Sequence, residues 1–174
     1  IRDRFSFLRF LNLQLEDLVP DEKTLWLFRE RLIQAKALEK LFLRFERHLD
    51  KHGFAAQVGS IVDASLVEVP KQRNTREENK VIKEDKVPEE WKSNPNQLRQ
   101  KDVDARWTKK MNQNYYGYKN HINADVKHKL IRKFVVTKAS QGDMTCLKEL
   151  LDERNPDKKL WADSAYRSAE TEEY

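Results

Sequence analysis

Ser60-Ile61-Val62-Asp63-Ala64-Ser65-Leu66-Val67-Glu68-Val69, bounded by Gly59 and Pro70, is the stretch on which the fold turns. It is short, β-branched and framed by chain breakers, so it predicts a strand. Ahead of it the period is helical. Phe7, Leu8, Leu11 and Leu15 suit a short helix over 5–15. Asp21, after Pro20, suits the N-cap of a second helix carrying Leu25, Phe28 and Leu32. Leu38, Leu41, Phe42, Phe45 and Leu49 form a third stripe that stops before Gly53. Such amphipathic helices need a partner surface, and packing in a helical bundle accounts for their apolar faces. Behind the strand, residues 71–114 are polar, hold two prolines and keep no period, which predicts a long excursion. Tyr115 to Asp125 alternates, Lys129 to Thr137 reads as another strand, and Asp125-Val126-Lys127-His128 suits the hairpin turn between them. A helix is expected over Asp143 to Arg154, a short strand over Lys159 to Asp163, and a further helix from about Ala165, capped by Ser164.

The 174 residues make room for one domain, or a small helical domain beside a larger one. Charged residues are 36% and mean hydropathy is −0.88. No run of apolar residues is long enough for a membrane span, and Arg4, Arg9 and Asn12 interrupt the opening segment, so it does not read as a signal peptide. The single cysteine, Cys146, excludes an intramolecular disulfide framework and a cysteine-based zinc site, and fits a reducing compartment. Starting at Ile1 and ending at Tyr174 inside an expected helix, the sequence reads as a fragment.

The charge is unevenly placed. Residues 99–133 hold ten basic and three acidic side chains, net +7, whereas 1–98 are net +1 and 134–174 net −3. Trp107, Tyr115, Tyr116 and Tyr118 lie among the basic residues. Cations neutralise phosphates and aromatics stack on bases, so this third of the chain suits nucleic acid; a solvated basic surface is the alternative.

Two aspartates stand in matching settings. Asp63 lies mid-strand between Val62 and Ala64, and Asp163 follows Leu160, Trp161 and Ala162. A carboxylate in an apolar frame is costly unless paired or metal-bound. Neighbouring strands would bring the two side by side, as oxygen ligands suited to Mg²⁺ or Mn²⁺ and to phosphodiester chemistry. Hydrogen bonds within a turn are the competing role for a strand-end aspartate.

Several strings carry a resemblance: Ile61-Val62-Asp63-Ala64-Ser65, Pro70-Lys71-Gln72-Arg73-Asn74-Thr75-Arg76-Glu77-Glu78-Asn79, the run from Arg99 through Asp102-Val103-Asp104-Ala105-Arg106-Trp107 to Lys110, Tyr116-Gly117-Tyr118-Lys119-Asn120-His121, Lys127-His128-Lys129-Leu130-Ile131 and Ala162-Asp163-Ser164-Ala165-Tyr166-Arg167. They resemble bacterial insertion-sequence transposases of the DDE class, of the insertion-sequence-five type. Phe7 to Leu11 and Val19 to Glu30 resemble that family's helical leader. The resemblance implies an α/β fold: an N-terminal helical region, 1–58, then an incomplete ribonuclease-H-like mixed sheet with flanking helices, 59–174, with a long polar insertion at about 70–114. It implies that Asp63 and Asp163 are the first two catalytic acids and ligands of Mg²⁺ or Mn²⁺. It also implies strand cleavage at insertion-sequence ends and joining to target DNA, a homo-oligomer assembled on DNA, and a place in the bacterial cytoplasm at the nucleoid, away from membranes. The third acid, a Glu in a Tyr…Arg…Glu signature, would lie beyond Tyr174. Glu170 does not fit that spacing, and Glu170, Glu172 and Glu173 read as a solvated helix face. A DNA-binding remnant without catalysis is the alternative reading.

Arg99, Lys101, Arg106, Lys109, Lys110, Tyr118, Lys119 and His121 are the candidate DNA contacts, with Lys119 and His121 on one strand face by alternation. Asp102 and Asp104 suit ion pairs with the neighbouring cations, and Asp143 suits a helix cap. His128, beside Asp125, suits a structural turn, and Cys146 suits packing.

Overall fold

The computed structural model describes residues 3–54 and 58–167, so the expected solvated face at Glu170, Glu172 and Glu173 lies outside the described residues. The chain divides into two compact units, Ile1–Ala55 and Ala56–Tyr174.

The first unit is helical: α1 Phe5–Leu11, α2 Glu22–Gln34 and α3 Leu38–Lys51. Asp21 caps α2, accepting the Thr24 N–H at 2.7 Å. The first helix stops short of Leu15 because Asn12 turns left-handed, at φ 53°. Leu25, Trp26 and Phe28 are each at least half exposed, so α2 leaves much of its apolar stripe uncovered within the unit.

The second unit is built on a five-stranded mixed sheet, an α/β arrangement of the ribonuclease-H-like kind. Its strands are β1 Ser60–Glu68, β2 Arg106–Lys110, β3 Gln113–Asp125, β4 Ile131–Lys138 and β5 Leu160–Ala162. β1 runs antiparallel to β3 and parallel to β5, while β2 and β4 pair antiparallel with β3. The β3–β4 turn is organised by Asp125, whose carboxylate accepts the backbone N–H groups of His128 and Leu130.

One sheet face is the core. Val62, Cys146, Leu147, Leu150 and Tyr166 form the buried cluster, with Ala64, Val135 and Leu151 packed against it. Asn123, cross-strand from Val62, is also buried, and its amide donates to the Leu150 carbonyl at 2.7 Å. That layer comes from a 3₁₀ turn, Asp143–Cys146, running into α7 Leu147–Leu150. The helix expected to reach Arg154 ends at Leu150 because Leu151 is already extended (φ −65°, ψ 132°). Asp143 does not cap it; Gly142 takes the N-cap position, and the Asp143 carboxylate pairs with Lys119 instead.

Residues 71–114 are not the aperiodic excursion their composition suggests. They hold α4 Arg76–Lys83, α5 Glu89–Lys92, α6 Pro95–Leu98 and the strand β2. Helices this short have little stability alone and rely on specific contacts. Thr75 and Glu78 close a reciprocal capping box on α4. Glu78 then accepts the indole N–H of the fully buried Trp91 at 2.6 Å. Hydrogen bonds from the Thr75 N–H and the Trp91 indole hold the Glu78 carboxyl below its usual range.

Gly117 is where β3 lies between its two neighbours, paired with Glu68 on one side and Arg106 on the other. Its φ is 153°, and a Cβ there would stand 2.1 Å from the Val67 carbonyl oxygen. Gly117→Ala is therefore expected to destabilise the sheet by about 2–4 kcal/mol, the sum of backbone strain and overpacking. Urea unfolding checks this; a change below about 1 kcal/mol would mean the β1 backbone moves aside cheaply.

Candidate active site

The parallel pairing of β1 with β5 runs at a constant offset: Ser60 with Leu160, Ile61 with Trp161, Val62 with Ala162. The next positions in that register are Asp63 and Asp163. Val62 points into the core, so alternation sends Asp63 to the opposite face, where it is exposed. Asp163 keeps an extended backbone (φ −74°, ψ 170°) and is also exposed. The apolar frame inferred from sequence is thus absent at both side chains, which face solvent.

Local backbone bonds orient each carboxylate. Asp63 Oδ1 accepts the Ala64 N–H at 2.7 Å, and Asp163 Oδ1 accepts the Ala165 N–H at 3.0 Å. Each Oδ2 is left without a hydrogen bond among the described residues. The turn-bonding role weighed for such aspartates is therefore real, yet it uses only one oxygen of each. Two hard oxygen donors at adjacent register positions fit a magnesium or manganese ion, which binds through few carboxylates and keeps the rest of its shell for water and phosphate. Among the described residues, no group of three or more His, Cys, Asp or Glu side chains forms a cage.

Behind this edge stands a buried polar chain. His121 is fully buried; its Nδ1 lies 2.9 Å from the Tyr166 hydroxyl and its Nε2 2.9 Å from the Thr137 hydroxyl. Burial lowers the imidazole pKa, Lys119 adding to the effect and Asp143 opposing it. Burial pushes the Tyr166 phenol well above its ordinary range, helped by Asp143, Cys146, Asp63 and Asp163, so its hydroxyl keeps its proton. Neutral His121 then accepts from Tyr166 at Nδ1 and donates to Thr137 from Nε2. Tyr166 closes the 3₁₀ turn Ser164–Tyr166 that Asp163 caps, so this chain ties the second aspartate to β3.

The eight candidate DNA contacts separate into two groups. Arg99, Lys109 and Lys110 are exposed and make no ion pair among the described residues. The other five are engaged within the fold. Arg106 bonds the Val103, Ala105 and Ile82 carbonyls and the Asp85 carboxylate, with a side chain only 11% exposed. Lys101 bonds Asn74 and the Arg73 carbonyl and lies 4.7 Å over the Trp91 ring. Tyr118 donates to Asp102 at 2.6 Å, and Lys119 pairs with Asp143 at 2.6 Å. His121 shares the Lys119 face, as alternation required, but that face is the core, so His121 has no access to a phosphate. Asp102 and Asp104 do not pair with the cations beside them in sequence; Asp102 serves Tyr118 and the 102–105 turn, and Asp104 faces Lys138 at 3.4 Å.

Sequence reasoning passed over the contacts made by Lys71 and Tyr166. Lys71, exposed, lies 5.4 Å over the Trp107 ring, and its position straight after the Pro70 that ends the strand signal was the available clue. Tyr166 meets His121 across 45 residues, a contact no local spacing announces.

Residues 55–174 match the model of a family described as transposase DDE domain. No solved structure matches the chain.

Proposed function

Because the chain belongs to the transposase DDE-domain family, we propose that its second unit cleaves insertion-sequence ends and joins them to target DNA by phosphoryl transfer. Asp63 and Asp163 are the acids of this site and would hold Mg²⁺ or Mn²⁺. The observation that supports the reading is the β1–β5 register, which ends at Val62 and Ala162, the residues that immediately precede the two acids. A divalent ion bound there supplies charge stabilisation at phosphorus and makes an attacking water or 3′-hydroxyl more acidic. The chain's own part is positional. The Ala64 and Ala165 N–H groups fix one oxygen of each carboxylate, and the His121–Tyr166 link fixes the turn behind Asp163. Arg99, Lys109 and Lys110 position the DNA backbone, contacts that set register without reading sequence. The protein works on nucleoid DNA, and among the described residues no helix is long and apolar enough to cross a membrane. Copies assemble on the DNA ends.

Titration of the chain with Mn²⁺, followed by water-proton relaxation, tests the reading. Weak binding that tightens when duplex DNA is added is expected, because DNA phosphate completes the coordination shell. No Mn²⁺ binding with or without DNA would favour a non-catalytic DNA-binding remnant.

A further inference from the structure

The turn between β2 and β3 is two residues, Met111-Asn112, closed by the pairing of Lys110 with Gln113. Both turn residues have positive φ, 47° and 63°, the mark of a type I′ hairpin, for which Asn-Gly is the favoured sequence. Asn112 tolerates that conformation; methionine at the first position is disfavoured. Burial does not select Met111 either, since it is 93% exposed. A side chain that neither its backbone nor a core requires invites a functional explanation.

Its surroundings narrow the partner. Residues 106–117 include no acidic side chain. Lys109 and Lys110 are exposed on the ribbon just behind the tip. Trp107, half exposed, rests on Tyr116 at 5.2 Å and carries the Lys71 ammonium over its face. An apolar tip on a cationic ribbon matches duplex DNA: lysines hold phosphates flanking a groove while an apolar wedge unstacks a base step and bends the helix. The distance also suits one. Asp63 pairs with Ile122, which lies ten residue steps along the chain from Asn112, roughly 33 Å at strand rise, about one turn of DNA.

We propose that the β2–β3 ribbon is a DNA-bending wedge, with Met111 entering the duplex about one helical turn from the cut and Lys71, Lys109 and Lys110 holding the flanking phosphates. The inference rests on the transposase reading for its DNA and its cut.

The test uses the intact chain and a 40-bp duplex labelled with a dye pair at its ends, with anisotropy reporting binding and energy transfer reporting bending. The wild-type chain is expected to bind the duplex and draw its ends together. Met111→Asn suits the turn better, so it should melt no lower than the wild type and bind within about threefold, yet lose the bend. Lys109→Ala with Lys110→Ala should reduce the slope of log affinity against log salt by about two. Binding and bending unchanged in both variants would overturn the wedge and leave the transposase reading standing. A wild-type chain that does not bind the duplex even at low salt would overturn both. A change in sedimentation of the free Met111→Asn protein, with bending intact, would assign the tip to contact between copies and overturn the wedge.

Discussion

Asp63→Asn and Asp163→Asn are each expected to reduce strand cleavage at insertion-sequence ends by roughly a thousandfold or more, the equivalent of several kcal/mol of transition-state stabilisation. Asparagine is the sharper substitution. It keeps the oxygen that accepts the Ala64 N–H in one case and the Ala165 N–H in the other, so the strand edge and the turn keep their geometry. At position 163 it is also as good a cap as aspartate. Only the charge and one strong oxygen ligand are lost. Both side chains are exposed, so unfolding free energy should move by no more than about 0.5 kcal/mol. In metal-free buffer DNA affinity should stay within about twofold, because Arg99, Lys109 and Lys110 lie elsewhere; with Mn²⁺ present it should fall by the factor by which DNA tightens the metal. The two losses should not add. Residues that hold the same ions act as one unit, and the double variant should be little slower than either single one. Cleavage of a labelled end by a transposase carrying these substitutions, beside Mn²⁺ titration of the same proteins, measures all of this. Cleavage above about a tenth of wild type in either variant would remove that residue from the site.

Which parts of this could be read from the letters follows from the range of the forces involved. Alternation marked β3, because one of its faces meets the core, while β1 was marked by β-branched residues between Gly59 and Pro70 and β4 by its run of apolar residues. The Asp21 cap was legible for the same reason, since its partner lies three residues away. Segment 71–114 was opaque because its helices are one or two turns long and depend on distant contacts. Trp91 is buried against Glu78, and Arg106 bridges to Asp85. Alternation also placed His121 beside Lys119, but only the 143–150 layer decides that their face is the interior. Asp63 misled in the opposite sense: apolar neighbours in sequence on a strand point to the other face, so its own side chain is solvated. The function came through the resemblance of long strings, which the family match over 55–174 bears out at the level of a transposase DDE domain. That the two acids directly follow a paired position, Val62 with Ala162, came only from the register between strands a hundred residues apart.

The buried chain behind the site gives the second large effect, on stability and its pH dependence. Tyr166→Phe keeps the ring packed in the core and removes only the hydroxyl. His121 Nδ1 then has no donor in a fully buried place, and the expected loss is about 1–3 kcal/mol. Tyr166→Ala should lose about 3–5 kcal/mol by opening a cavity against Val62, Leu147 and Leu150. The wild type should also weaken in mild acid. The unfolded imidazole takes up its proton near pH 6.5, whereas the folded one, chiefly through burial, takes it up only at lower pH. Between those values the unfolded state binds more protons. The stabilisation is therefore complete above about pH 6.5 and drains away as pH falls toward the folded value. Glu78 and Asp85 act in a separate, lower window. Bonds to the Thr75 N–H and Trp91, and to Lys138 and Arg106, depress their carboxyls, so their contributions persist until pH falls below about 4. Urea unfolding at pH 7.5, 6.5 and 5.5 isolates the histidine, and His121→Gln, which does not titrate there, should flatten the slope. Because Tyr166 closes the turn that begins at Asp163, Tyr166→Phe should also weaken Mn²⁺ binding a few-fold at pH 7.5, where the fold remains intact. If stability falls but Mn²⁺ affinity does not move, the chain from Thr137 to Tyr166 serves the core alone and has no hold on the second acid.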